Sequence, residues 1–286
     1  MINVSIVTPD CGDACSVYRA VGPYMKLPIN IKIYNSNAGF LLWESVQHCE
    51  VVMIQRAYTE TQLNIAKVFK MAGKKIIIDW DDDLSAVTPS NPNYEAFQNC
   101  EQTLRGLAQI ADVVTVSSPI LRSKAYRWGA KRVELLLNAI DDSYRKLQKL
   151  PRSNNIVWRG SNTHSADIML AKDMIIKLGE ENKIVFMGYP PPWASEVKNQ
   201  ASVGVLDYAN YITFLNSIAP KMFLVPLEDN EFNRAKSDIG AQEAYLVGAE
   251  LWHNNVGMYK NLPSHGPVRW LSEVNELRMQ ILRGLV

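Results

Sequence analysis

Short apolar runs alternate with longer amphipathic segments along the first half of the chain. The runs predict buried strands at 2–7, 29–34, 51–54, 75–79, 113–117 and 133–137. The segments between them have apolar residues at helical spacing and predict helices at 16–26, 59–72, 94–110 and 119–128. Strands that alternate with helices in this way predict a parallel, doubly wound sheet.

The pattern breaks at 138–155, a polar and basic stretch that contains Pro151 and predicts a linker with a short helix. It then restarts. The second set of predicted strands covers 156–159, 183–187, 203–206, 222–225 and 249–252. The second set of predicted helices covers 165–178, 208–218 and 233–247, with a final amphipathic helix at 272–285.

We therefore predict an α/β fold in which two Rossmann-like domains face each other across a cleft. The predicted boundaries are an N-terminal domain over 1–150, a C-terminal domain over 151–270 and a C-terminal helix over 271–286. Ligands of such sheets bind at the carboxyl ends of the strands. Polar residues that directly follow a strand are therefore the functional candidates.

The composition of the 286 residues, 47% hydrophobic and 21% charged, is that of a soluble globular protein with a sizeable core. A net charge of +1 argues against binding a polyanion through bulk charge. The segment 122–152 differs, because it holds nine Lys or Arg against three acidic residues and is locally +6. Such a cluster is suited to DNA phosphates or anionic lipid, and the competing interpretation is a solvated helix face followed by a linker.

The four cysteines, Cys11, Cys15, Cys49 and Cys100, form no CxxC pair and have no histidine at metal-ligand spacing. We expect reduced, apolar side chains and no zinc. No apolar run reaches the roughly 18 residues of a membrane helix, and the N-terminus lacks the pattern of a signal peptide. These features predict a cytoplasmic protein without a transmembrane segment, and they leave its oligomeric state open.

The segment 226–243, PLEDNEFNRAKSDIGAQE, follows the predicted strand 222–225 and is the strongest candidate site. We predict that it opens a helix carrying Lys236, Ser237 and Glu243, with Lys236 and Glu243 on one face because they are seven residues apart. The N–H groups of a helix N-terminus and a lysine attract phosphate, and a carboxylate binds a sugar hydroxyl. The segment thus predicts a site for a phosphorylated ligand, against the alternative of a solvated amphipathic helix.

Four aspartates, Asp79, Asp81, Asp82 and Asp83, lie at the end of the predicted strand 75–79. Carboxylates this close repel each other unless they are paired or bound to a metal. A solvated acidic turn, a divalent metal site and a group that orients or deprotonates an acceptor hydroxyl are all open interpretations. The buried strand that runs directly into the cluster favours a functional role.

The loop after the strand 156–159 combines a cation with small residues. Arg159 is a natural partner for a diphosphate, and Gly160 and Ser161 permit close approach of the backbone to a phosphate. His164 and Asp167 are three residues apart and are expected to hydrogen-bond. We expect His164 to take part in ligand binding.

The loop after the first strand places Tyr18 and Arg19 at the start of a helix, near the expected cleft. It lacks the GxGxxG pattern, which argues against a dehydrogenase. A further loop, GYPPPW at 188–193, is rigid and aromatic enough to cover a nucleotide base, although simple turn formation explains it equally well.

Together these segments resemble the GT-B glycosyltransferases, in particular the retaining, family-4-like group. The resemblance rests on DWDDDL at 79–84 with the following Asn91-Pro92, ADVVTVSS at 111–118, LLNAID at 136–141, GSNTHSAD at 160–167, and PLEDNEFNRAKS at 226–237 with Glu243 and Gly248. The last motif is the most specific. The chain departs from the group at Gly240, where a second lysine is common, and at 249–253, where AELWH replaces a small-Pro-Val-Val strand.

The resemblance implies that the C-terminal domain binds a nucleotide sugar. Lys236 and Arg159 would hold the diphosphate and Glu243 the donor ribose. The other donor-binding residues that it implies are Gly160, Ser161, His164, Asp229, Asn230, Phe232, Asn233 and Ser237. Of these, the residues from Asp229 to Asn233 would contact the sugar.

The N-terminal domain would bind the acceptor. The implied catalytic residues are Lys236, which stabilises the leaving diphosphate, and Asp79, Asp81 and Asp82, which place the acceptor. Tyr18, Arg19 and Asp83 are the expected acceptor-binding residues. The resemblance implies no bound metal and no covalently bound cofactor.

The implied reaction transfers a hexose, with retention, from a UDP-sugar such as UDP-glucose, or from a GDP-sugar, to a hydroxyl group. The basic segment favours a hydroxymethylated DNA base as acceptor, which would have to be flipped into the cleft. A glycan or a lipid-linked polysaccharide precursor is the alternative acceptor. A non-catalytic protein that binds nucleotide sugars is the alternative function.

Overall fold

The apolar runs form two separate parallel sheets in a computed structural model that describes residues 1–36 and 42–286. The strands are β1 (Asn3–Thr8), β2 (Asn30–Asn35), β3 (Val51–Gln55), β4 (Lys75–Trp80), β5 (Val113–Val116), β6 (Val133–Leu135), β7 (Asn155–Gly160), β8 (Lys183–Gly188), β9 (Gln200–Val203), β10 (Met222–Val225) and β11 (Glu250–His253). The helices are α1 (Ala14–Arg19), α2 (Val21–Met25), α3 (Leu42–His48), α4 (Glu60–Met71), α5 (Tyr94–Phe97), α6 (Glu101–Ile110), α7 (Pro119–Arg127), α8 (Ser165–Met169), α9 (Lys172–Leu178), α10 (Tyr208–Ser217), α11 (Glu231–Arg234), α12 (Ile239–Val247) and α13 (Leu271–Leu285).

Each sheet has a point at which the strand order reverses. The N-terminal sheet has the order β2-β1-β3-β4-β5-β6, and the C-terminal sheet has the order β11-β10-β7-β8-β9. Every pairing is parallel. The order reverses between β1 and β3 and between β7 and β10, and crevices for ligands form at such points. The predicted fold class, two doubly wound α/β units, is confirmed.

The C-terminal helix α13 returns to the N-terminal sheet. Its residues Ile281 and Leu282 are buried in one apolar cluster with Val4 and Ile6 of β1. The side-chain amide of Asn275 donates a hydrogen bond to the carbonyl of Pro23, at 3.1 Å. Helix α13 therefore covers a face of the first sheet, although it is the last element of the chain.

Several helices that the sequence pattern predicted as single elements are split. The segment 16–26 forms α1 and α2, because Ala20 leaves the helical region, with φ −113° and ψ −81°. The segment 94–110 forms α5 and α6, with Asn99 at φ +59° between them. The segments 165–178 and 233–247 are also each two helices. Periodicity locates such a segment but does not reveal the one to four non-helical residues that interrupt it.

Strand β9 begins three residues before the predicted 203–206, and α3 was not predicted. All four cysteines are unpaired. Over residues 1–36 and 42–286, none of the helices has the length and apolar content needed to cross a bilayer.

Candidate functional site

A cleft of about 640 Å³ lies where the carboxyl ends of the two sheets face each other. Its N-terminal wall is built from the loops that follow β1, β3 and β4, and its C-terminal wall from those that follow β7, β8, β9 and β10. The charged side chains that line it are Asp13, Arg56, Asp81, Asp82, Arg159, Lys236 and Glu243, and the neutral imidazole of His164 lines it as well. The rule that ligands bind at the carboxyl ends of the strands thus located the cleft correctly.

Lys236 and Ser237 lie in the turn between α11 and α12, not on a helix. The prediction that Lys236 and Glu243 share a helix face was therefore wrong, because the helix begins only at Ile239. The turn nevertheless brings both side chains to the cleft, directly before the N-terminus of α12. The Gly240 N–H at this end of the helix donates to the Tyr259 hydroxyl, at 3.2 Å. The positive end of the helix dipole and the Lys236 cation still meet at one point, which is suited to bind phosphate.

The Lys236 ammonium is held between the two domains. It lies 3.6 Å from Asp82 Oδ1 of the N-terminal wall and 4.4 Å from the centre of the Phe232 ring. Ser237 Oγ accepts a hydrogen bond from the Asn138 amide, at 2.9 Å. Both contacts orient this turn toward the N-terminal wall.

Glu243 is almost fully buried at the base of the cleft and accepts three kinds of hydrogen bond. Arg159 Nε donates to Oε2 at 2.9 Å, and Arg159 Nη2 lies 2.8 Å from the same oxygen as an ion pair. The Tyr18 and Tyr211 hydroxyls donate at 2.7 and 2.9 Å. Tyr18 was expected to bind the acceptor, but here it crosses from the N-terminal domain to bind Glu243. Arg159 is likewise held by Glu243 rather than directed freely into the cleft.

His164 and Asp167 form the hydrogen bond that their spacing predicted, between Nδ1 and Oδ2 at 2.8 Å. Burial, opposed by the hydrogen bond to Asp167, lowers the pKa of His164 below its usual value, and the nearby Lys236 cation adds to the lowering. The imidazole is therefore neutral near pH 7. With Nδ1–H donated to Asp167, Nε2 is a hydrogen-bond acceptor at the cleft wall.

Asp167 also fixes the loop after β10. Its Oδ1 accepts hydrogen bonds from the backbone N–H of Glu228, at 2.8 Å, and from the side-chain amide of Asn233, at 2.7 Å. Asn233, expected to contact the sugar, is therefore buried and supports the loop. Asn230 caps α11 by accepting from the Asn233 N–H.

Asp229, a second residue expected at the sugar, is exposed and paired with Arg234 at 2.6 Å. Neither Asp229 nor Asn230 lines the cleft, whereas Phe232 does. The cause is local, because both residues precede α11, where Asp229 pairs with Arg234 and Asn230 caps the helix.

Two glycines shape the C-terminal wall. Gly188 has φ +95°, and a Cβ there would lie 2.3 Å from the Gly160 carbonyl oxygen, so the β7 and β8 loops approach more closely than side chains permit. Ser161 lines the cleft beside them. At Gly240, a Cβ would lie 2.9 Å from the Tyr259 hydroxyl. The tyrosine thus occupies the space that a side chain at position 240 would need.

Asp81 and Asp82 line the N-terminal wall with Arg56, which follows β3. Arg56 Nη1 lies 3.1 Å from Asp81 Oδ2, and its Nη2 lies 3.7 Å from Asp82 Oδ2. Burial raises the pKa of Asp81, although Arg56 partly offsets this. Burial also acts to raise the pKa of Asp82, but Lys236, Arg56 and His164 outweigh it and hold that pKa below its usual value.

Asp79 and Arg19 do not reach the cleft. Asp79 still belongs to β4. Because side chains alternate along a strand, it lies on the same face of the sheet as Ile77 and not at the end of the strand. There it accepts from Arg19 Nε, at 3.1 Å, and from the Thr115 hydroxyl, at 2.6 Å. Arg19 also donates to the side chain of Asn138, at 3.1 Å. This buried ion pair is structural.

Asp83 also lies away from the cleft lining, fully buried. Its carboxylate caps the turn at Leu84–Ala86, accepting from the Ser85 hydroxyl at 2.8 Å, and is paired with Lys124. Lys124 in addition bonds Glu231 of the C-terminal domain, at 2.9 Å. Asp83 and Lys124 thus form part of a brace between the domains, not an acceptor site.

Arg56 and Cys15 also line the cleft, although they were not among the predicted site residues. Arg56 has φ +51°, a region that non-glycine residues seldom adopt and that is often found at functional sites. Its Nη1 lies 2.7 Å from Cys15 Sγ, and burial raises the pKa of that thiol well above its usual value. The rule applied to the other strands would have found Arg56, since it comes directly after the apolar run 51–54. Nothing in the local sequence singled out Cys15.

None of the cations of the basic segment 122–152 lines the cleft, although Asn138 of that segment does. Several of its cations are already paired within the protein, Lys124 with Asp83, Arg132 with Glu134 and Arg145 with Asp142.

Comparison of the sequence with protein-family models and with curated proteins gives no significant match. Solved structures do resemble the chain. A sucrose-phosphate synthase (tll1590) from Thermosynechococcus elongatus matches with a TM-score of 0.60 and 12% sequence identity, over 99% of this chain and 90% of that chain.

Anabaena Alr3699/HepE, solved with UDP and glucose, matches with a TM-score of 0.59 and 13% identity, over 99% of this chain and 89% of that chain. The same protein solved with UDP-glucose matches with a TM-score of 0.58 and 12% identity, over 99% and 89%. At such identities the likeness establishes the fold. The expected GT-B arrangement of two Rossmann-like domains across a cleft is therefore confirmed.

Proposed function

We propose that the protein is a glycosyltransferase that moves a hexose from a nucleotide sugar to an acceptor hydroxyl. The observation that carries the proposal is the turn at Lys236 and Ser237, which presents an ammonium and the N-terminus of α12 to the interdomain cleft. A diphosphate leaving group needs cationic and N–H donors fixed in place before the reaction. The fold, shared with a protein solved with UDP-glucose, supports the same function.

In this proposal the diphosphate lies against Lys236 and the start of α12. At the base of the cleft, Arg159 supports that site through its pair with Glu243. Glu243 accepts hydrogen bonds from the ribose hydroxyls once these replace the hydroxyl of Tyr18. The loop at Gly188 and Tyr189 lies beside the base. A UDP-sugar is the favoured donor, because HepE was solved with UDP and with UDP-glucose. A GDP-sugar is the alternative.

The reaction breaks the bond between the anomeric carbon and the diphosphate oxygen, and the electron pair leaves with the diphosphate. A hydroxyl oxygen of the acceptor forms the new bond, and Asp81 or Asp82 accepts its proton. Lys236 stabilises the charge that develops on the leaving group. The retaining outcome stays a prediction from the resemblance, and NMR of the anomeric centre of the product tests it.

The experiment measures consumption of a panel of UDP- and GDP-sugars by the wild type, by Lys236→Ala and by Lys260→Ala. Lys260 is an exposed lysine of the same domain that does not line the cleft, and so it is the matched control. We expect Lys236→Ala to lower kcat/KM by about 10²- to 10³-fold, as for loss of one transition-state donor, with unfolding unchanged. Wild-type turnover by a folded Lys236→Ala would overturn the proposal.

The panel also separates an enzyme from a binding protein. A donor that binds tightly but is never consumed, with any acceptor, would favour a non-catalytic nucleotide-sugar binding protein on the same scaffold. Absence of binding to every nucleotide sugar would remove both functions.

A further inference from the structure

We infer that the acceptor is an uncharged carbohydrate, bound by the N-terminal wall of the cleft with one hydroxyl directed at Asp81. This inference rests on the proposed function and names its substrate class. It starts from the unequal charge of the two walls.

The C-terminal wall carries Arg159 and Lys236 against Glu243, a balance of +1. Among residues 1–36 and 42–286, the N-terminal wall carries Asp13, Asp81 and Asp82 against the cation Arg56, a balance of −2. A diphosphate therefore belongs on the C-terminal wall. A phosphate on the acceptor would face an excess of carboxylates, and such like-charge contacts exclude the wrong partner.

Asp81 supplies an observation that itself points to a ligand. The residue is 7% exposed, and Arg56 binds its Oδ2 at 3.1 Å. Its Oδ1 has no N–H or O–H donor within hydrogen-bond distance among the described residues. The Cys15 thiol beside it is a weak donor. Because buried carboxylate oxygens are nearly always hydrogen-bonded, an acceptor hydroxyl is the partner that this oxygen lacks.

The rest of the N-terminal wall is neutral. Leu84, Val87 and Phe97 present apolar surface, and Asn91 and Asn93 present amides. Amides bind hydroxyls and an aromatic ring packs against the C–H face of a sugar, whereas none of these groups neutralises a phosphate. The wall therefore fits a polyhydroxylated, uncharged molecule.

The same features disfavour DNA as the acceptor. The cations of the segment 122–152 do not line the cleft, so a flipped base would draw its flanking phosphates toward the carboxylates of this wall.

The test compares transfer from UDP-glucose, or from whichever donor the panel identifies, to neutral methyl glycosides, to the matching sugar 6-phosphates and to hydroxymethylated duplex DNA. We expect kcat/KM for the best neutral sugar to exceed that of its 6-phosphate by at least about tenfold. A tenfold ratio corresponds to about 1.4 kcal/mol. Asp82→Asn removes a carboxylate from the wall and should lower the ratio of kcat/KM for the neutral sugar to kcat/KM for its 6-phosphate. Asp112→Asn, at a surface pair with Lys70, should leave it unchanged.

A lower rate with both acceptors and a constant ratio would mean that Asp82 serves the reaction or the fold and does not exclude phosphate, and this result overturns the inference. Preference for the 6-phosphate or for DNA, or no transfer to any neutral sugar while calorimetry still shows donor binding, overturns the inference and leaves the proposed function standing. Loss of donor binding itself would instead overturn the proposed function.

Discussion

The four aspartates at the end of β4 lie in two different environments, although they are within five residues of each other. The outer two, Asp79 and Asp83, are buried in ion pairs with Arg19 and Lys124. The inner two, Asp81 and Asp82, face the interdomain cleft. The outer pair holds the fold together, whereas the inner pair is available for chemistry. An acidic cluster is thus not one functional unit, and its members must be assigned one at a time.

The largest expected loss of unfolding free energy follows substitution in the outer pair. Asp79→Asn leaves the Arg19 guanidinium buried without its counter-ion, and Arg278 lies buried nearby. Removing one partner of a buried ion pair costs about 3–5 kcal/mol, so we expect a loss of that size in the free energy of unfolding in urea. Asp229→Asn breaks the exposed pair with Arg234 and should cost less than about 1 kcal/mol. If Asp79→Asn and Asp229→Asn lower the free energy of unfolding equally, burial does not determine how much a carboxylate contributes to stability.

The converse is expected at Asp81. Because burial raises its pKa, the ionised side chain is less favourable in the folded protein than in the unfolded chain. Asp81→Asn should therefore leave the free energy of unfolding at pH 7 the same or higher, while sugar transfer falls by about 100-fold, as for loss of a proton acceptor. A variant that unfolds more easily but turns over normally would place Asp81 with the outer pair.

The pH dependence of stability should separate the two inner residues. A raised pKa for Asp81 means that its contribution is present below the unfolded value near 3.9 and is lost as the pH rises through the folded value, so the advantage of Asp81→Asn over the wild type should grow toward pH 7. A lowered pKa for Asp82 means the reverse. Its contribution is present above about 3.9 and is lost as the pH falls through the lower folded value. Urea unfolding of the wild type, Asp81→Asn and Asp82→Asn from pH 2.5 to 7 checks both signs. If the difference in unfolding free energy from the wild type changes with pH in the same direction for both variants, this account is contradicted.

The smallest effect is expected at Glu231, the exposed partner of Lys124. Glu231→Gln leaves Lys124 paired with the buried Asp83, so it should cost less than about 1 kcal/mol of unfolding free energy. Asp83→Asn, in contrast, should resemble Asp79→Asn. If Glu231→Gln and Asp83→Asn lower the free energy of unfolding equally, burial is not what distinguishes the two partners of Lys124.

The sequence predicted the fold well because strands leave a local signal. The apolar runs at 51–54 and 222–225 mark β3 and β10 to within one residue. The rule that ligands meet the carboxyl ends of strands then led to Asp81, Asp82, Arg159 and the region of Lys236. Those predictions needed only local pattern and general topology.

The predictions that failed depended on contacts between distant segments. Asp79 and Arg19 are 60 residues apart, and Asp83 and Lys124 are 41 apart, so nothing in the local sequence reveals that they pair. The break before α12 is a backbone feature that periodicity does not register. Tyr18 was assigned to the acceptor because it follows the first strand, and nothing in the local sequence reveals its partner Glu243, 225 residues away in the other domain.

The most direct test of the central claim is a calorimetric titration of UDP-glucose into the wild type, Lys236→Ala and Lys260→Ala. The proposed site predicts that the wild type and Lys260→Ala bind equally and that Lys236→Ala binds at least about tenfold more weakly, because its diphosphate contact is lost. Equal binding by all three proteins would contradict the claim that this cleft holds the diphosphate of a nucleotide sugar at Lys236.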